Sequence, residues 1–118
     1  MENQDWKVVL QTEEQKEIAL EYKGVKIPIK VRDLSWSERN QILGKCFIYQ
    51  TEGSISFDYD KYMKESLAKM IVQAPWGKTD SIFFAQLNKE FGSILEKIVP
   101  KAFDEAQISD FFVGGQRG

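Results

Sequence analysis

The stretch that decides the fold is "IALEYKGVKIPIKVRDLSWSERNQIL", residues 18–43. Ile18, Leu20 and Tyr22 alternate with polar or small neighbours. After Lys23-Gly24, Val25, Ile27, Ile29 and Val31 alternate again. Period-2 patterning on both sides of a glycine turn predicts a β-hairpin over 18–31. Pro28 cannot donate to a ladder, so the second strand is expected at an edge, or with its prolyl side outward. At Asp33-Leu34-Ser35 the period changes. Ser35 and Glu38 have capping-box spacing, in which each side chain satisfies the other residue's backbone N–H. A helix is expected from there, with Trp36, Leu43, Cys46 and Phe47 on one stripe.

Downstream, helical spacing dominates. Asp58 or Asp60 can cap a helix over 60–74, whose Met63, Leu67, Met70, Ile71 and Ala74 share one apolar face. Pro75 is expected to end it, because its ring disfavours the helical conformation at Ala74. "TEGSISF" breaks the preceding helix at Gly53 and can add a short extended piece. Thr79 or Asp80 caps the next helix, and Phe83, Phe84, Leu87, Phe91, Leu95, Ile98 and Val99 continue a stripe. Asn88 and Gly92 suggest two short helices here rather than one. Pro100 is expected to open a last short helix through "KAFDEAQI". An isolated hairpin is marginal and must lean on helices or on another chain. The fold class is therefore α+β, a mainly α-helical single domain with an N-terminal β-hairpin. Its parts are an arm or short strand over 1–17, a globular domain over 18–108 (hairpin 18–31, helices 35–108) and a glycine-rich tail over 109–118, expected to be flexible.

The 118 residues suffice for one core. Hydrophobic residues make up 42% and aromatics 13%, which argues against disorder over most of the length. No apolar run approaches the roughly 18 residues needed to cross a bilayer. The start, "MENQDWKVVLQTEEQKE", lacks a basic region followed by an apolar one, so no signal peptide is expected. One cysteine, Cys46, permits no internal disulfide and suits a reducing cytoplasm.

Function classes fall away by chemistry. Sixteen basic and eighteen acidic side chains are mixed along the whole chain. Nucleic-acid binding draws on a basic face that displaces counterions, and no segment supplies one. Histidine is absent, which removes the commonest general base and the commonest zinc ligand. No glycine-rich phosphate loop is visible. Asp58, Asp60 and Glu65 faintly suggest a calcium loop but lack its sixth-position glycine, and helix capping accounts for the aspartates. No catalytic residue, metal site or cofactor is expected, and the chain reads as a non-enzyme. A helix-turn-helix over 60–74 and 79–87 is disfavoured because "DSIFFAQL" is core-like.

The surplus is aromatic: eight Phe, four Tyr and three Trp. Trp36 would cover the junction of hairpin and first helix, and Trp76, in the turn "APWG", the junction of two later helices. The same two residues are candidate partner anchors, since Trp is enriched at interfaces. Phe111 and Phe112, beside a glycine-rich end, are candidates for contact with a partner or another subunit.

The order of these elements resembles the tail assembly chaperones of long-tailed phages and related prophages. The residues that carry the resemblance are the hairpin "KGVKIPIKVRDLSWSERNQIL" with Leu34-Ser35-Trp36 at a helix start, and "MIVQAPWG" with Ala74-Pro75 before Trp76. "LNKEFGSILEKIV", with Leu87, Gly92 and Leu95, completes it. The match covers about residues 18–99, by pattern rather than by invariant motif. The resemblance implies a non-enzymatic helper in the host cytoplasm that coats the tape-measure protein, helps recruit the tail-tube protein, and is absent from the finished virion. Self-association through the hairpin edge or the C-terminal aromatics is expected, since a chain of this size can cover such an edge only partly; mixed charge disfavours nucleic acid, and the lack of a long apolar run disfavours a membrane. A longer product made by frameshifting near "VGGQRG" is common in that family. A small regulatory or inhibitor module of prophage origin is the alternative.

Overall fold

The computed structural model describes residue 10 and residues 14–102. Two antiparallel strands open the described chain, β1 (Gln15–Tyr22) and β2 (Val25–Arg32), paired from Gln15 opposite Arg32 to Tyr22 opposite Val25. Lys23 and Gly24 join them, both at positive φ (51° and 78°), which is the two-residue turn whose twist matches that of the flanking strands. One face carries Ile18, Leu20, Ile27, Ile29 and Val31 toward the core. The other sets Glu17 opposite Lys30 and Glu21 opposite Lys26. The hairpin is longer than the expected 18–31, because polar Gln15–Glu17 extend the ladder without contributing to the apolar alternation.

Ser35 caps α1 (Trp36–Cys46) with both halves of the capping box formed. Cys46 leads directly into β3 (Phe47–Tyr49), which pairs with β4 (Ile55–Phe57) in a second, two-stranded sheet. Phe47 and Phe57 face each other edge-on at 5.2 Å, and Phe57 lies 5.8 Å from the Tyr62 ring. Asp58 then caps α2 (Tyr59–Met70), its carboxylate accepting from the Lys61 N–H at 3.0 Å.

The expected helix over 60–74 is corrected here. It stops at Met70, and Ile71–Gln73 form β5 against β2, so Pro75 does not end it. The β-branched pair Ile71-Val72 favours extended backbone, and β2 offers a free ladder: Val31 pairs with Ile71 and Lys30 with Gln73, leaving Val72 as the extra residue of a bulge. β2 is thus the central strand of the order β1-β2-β5 and not an edge. Pro28 is tolerated because β5 reaches only Lys30 and Val31. The span between α2 and the next helix holds this strand and a glycine turn, which differs from the short turn of a helix-turn-helix.

Two short helices follow, as the Asn88 and Gly92 reading expects. α3 (Ser81–Gln86) is capped by Asp80 and α4 (Lys89–Glu96) by Asn88. The core gathers Ile29 and Val31 with Ile42, Leu43 and Cys46 of α1, then Tyr62, Met63, Leu67 and Met70 of α2. Ile71, Phe91, Leu95, Val99 and Ala102 complete it. Two side chains fasten the last described turn. The Tyr62 hydroxyl donates to the Pro100 carbonyl at 2.7 Å, and Arg39 Nη2 to that of Ala102 at 2.7 Å. Most of the expected terminal helix, residues 103–108, and the tail over 109–118 lie outside the described residues, as do 1–9 and 11–13 of the arm.

Candidate docking surface

Trp36 lies at the first position of α1 and is 79% exposed. It does not cover the junction of hairpin and helix. The capping box fixes Ser35 outside the helix and so sets the helix phase. At about 100° per residue, Ile42, Leu43 and Cys46 form an inward arc whose middle is roughly 70° from Trp36. Trp76 behaves as the turn reading expects. Gly77, at φ 86°, closes the turn by donating to the Ala74 carbonyl at 3.1 Å. The indole stacks on Phe83 at 4.5 Å and 12°, meets Phe91 edge-on at 5.9 Å, and donates from Nε1 to Thr79 Oγ1 at 2.9 Å. The two tryptophans sit on different elements and share no contact in the ring geometry. Phe111 and Phe112 lie outside the described residues.

The polar groups are used structurally. Glu38 accepts from both terminal nitrogens of Arg32, each at 2.9 Å, and from the Ser35 N–H at 2.9 Å. The Arg32 bonds above all, then the Ser35 N–H, hold its carboxyl at about 2, below the ordinary 4.5. This joins β2 to α1 through the cap. Burial pushes the Cys46 thiol and the Tyr62 hydroxyl up, so neither is poised as a nucleophile. The carboxylates of the faint calcium loop separate: Asp58 caps α2, Asp60 pairs with Lys64 at 2.9 Å, and Glu65 with Lys45 at 3.4 Å. Among the described residues no group of three or more His, Cys, Asp or Glu is placed to hold a metal.

The surface features are apolar and were not singled out by sequence reasoning. α3 reads "SIFFAQ", yet none of its residues is buried, and Ile82 is 67% exposed. Beside it two hollows of about 530 and 400 Å³ open along α2, both lined by Asp60, Lys64 and Phe84. The small β3–β4 hairpin exposes Ile48, Tyr49 and Ile55. The available signal was the apolar run Ile82-Phe83-Phe84 in a helix too short to bury it on every side. Among the described residues no helix is long and apolar enough to cross a membrane. No protein-family model matches the chain, and no curated protein or solved structure matches it.

Proposed function

We propose that this chain is a non-enzymatic tail assembly chaperone that binds apolar helical segments of a tape-measure protein, in several copies per partner, during phage tail assembly in the host cytoplasm. The resemblance of residues 18–99 names the partner, with the tail-tube protein as a second. The observation that carries the reading is α3: an apolar helix with no buried residue, bordering a groove on α2. A partner helix gains affinity by placing an apolar stripe in such a groove. Co-expression with the tape-measure protein of the same gene cluster tests it. The expected result is more soluble tape-measure protein and co-purification of the two. Equal solubility with and without this chain, and no co-purification, overturns the reading. A single copy bound to a small folded partner favours the regulatory alternative.

A further inference from the structure

The two hollows along α2 share Asp60, Lys64 and Phe84 and adjoin each other, and we treat them as two halves of one groove between α2 and the α3–α4 pair. Its floor is apolar: Met63 and Leu67 are buried there, and Phe84 and Leu87 half-buried. Its walls are low. Ala68 on α2 and Ala85 on α3 are exposed, and a Cβ at Gly92 on α4 would meet the Leu87 side chain at 3.5 Å. Small wall residues let a helix axis approach to the roughly 8–10 Å of ordinary helix packing. The twelve residues of α2 give a trough of about 18 Å, or three turns of a partner.

The rim decides the occupant. It carries the carboxylates of Asp58, Asp60, Glu65, Asp80 and Glu96 against the ammonium groups of Lys61, Lys64 and Lys89, five against three. Asp58 and Asp80 each accept one backbone N–H. Asp60 pairs with Lys64, and Glu65 with Lys45 from outside the groove, which leaves Asp58, Asp80 and Glu96 against Lys61 and Lys89, a rim still acidic by one charge. We propose that this groove binds a basic amphipathic helix of a partner protein, its apolar stripe on Met63, Leu67 and Phe84 and its Lys or Arg flanks over the acidic rim. This goes beyond the chaperone reading, which fixes neither the surface nor the sign of the partner's charge.

The test uses the full chain and two synthetic 18-residue helices with the same leucine stripe at i, i+4, i+7 and i+11, one flanked by lysine and one by glutamate. The lysine peptide is expected to bind at least about tenfold more tightly at low salt, with the difference shrinking as salt screens the rim. Ala68→Arg, at an exposed helical position, is expected to weaken that binding at least about tenfold with an unchanged Tm. Gln86→Arg, which adds the same charge outside the groove, leaves it intact. Equal affinity for the two peptides, no binding of either, or undiminished binding by Ala68→Arg overturns the proposal. A change in the chain's own sedimentation on Ala68→Arg, with the lysine peptide unable to compete, makes the groove a contact between copies and overturns it too. Co-purification of Ala68→Arg with the tape-measure protein judges the chaperone reading separately.

Discussion

Glu38 holds three donors at once, and its lowered pKa turns that geometry into a pH dependence. The folded carboxyl binds its proton more weakly than the unfolded one. Its contribution is therefore present above about 4.5 and is lost as pH falls toward about 2. Glu38→Gln is expected to cost about 1–2 kcal/mol at neutral pH, allowing for its partial exposure, and to flatten this part of the acid limb. Urea titrations between pH 2 and 7 check it, and an unchanged acid limb would sink the assignment. Ser66 makes the opposite case. It is fully buried on α2, and among the described residues its Oγ has no partner in bonding geometry, although the Tyr62 hydroxyl is near enough to feel it. Ser66→Ala removes a dehydrated hydroxyl and is expected to raise stability by up to about 1 kcal/mol. A loss of that size would mean the hydroxyl is bonded after all. The two tryptophans should separate cleanly. Trp76→Ala unstacks Phe83 and should cost about 2–3 kcal/mol. Trp36→Ala should stay within about 0.5 kcal/mol. Thermal melts of both variants decide it.

At the scale of elements, the hairpin shows how far a sequence speaks for itself. Alternation on both strands and the Lys23-Gly24 turn made it legible, and Ser35 with Glu38 marked the start of α1. Gly24→Ala is expected to cost about 1 kcal/mol, because φ is 78° and, chain neighbours aside, no atom of the described residues lies within 4 Å of the added methyl, so the penalty is backbone. A neutral result in chemical denaturation would mean the turn is of another type. β5 was not legible. Ile71 continues the apolar spacing of α2, so a helix and a strand predict the same inward residue there; the β-branched Ile71-Val72 pair tips the balance only because β2 offers a free ladder. β3 and β4 have three residues each, too few to establish a period. Tyr62 escaped notice because Ser66, one turn on, put a polar residue on what proved to be a buried stripe. The groove was hidden for another reason: it depends on how α3 and α4 lie against α2, and spacing within one helix carries no information about that.

Over the whole molecule, β1 leaves one long side of the three-stranded sheet without a strand partner among the described residues. Eight residues of open ladder invite pairing, and Lys16, on the apolar face, only partly blunts it. Self-association is expected in sedimentation velocity at tens of micromolar, and a strict monomer at high concentration would count against it. The joints between elements bear on a different question, where this chain can change in length. α1 passes into β3 between Cys46 and Phe47, and α2 into β5 between Met70 and Ile71, with no residue in between. The Ile71 N–H still donates to the Leu67 carbonyl as the last bond of the helix, while its side chain already belongs to the sheet. One residue added there would turn Ile71 outward and shift every partner on β2, whereas the 50–54 and 78–80 loops lie outside helix and strand and set no register. In an insertion scan, the two joints should be the silent gaps, and the indels that related chains accumulate should fall in the loops instead.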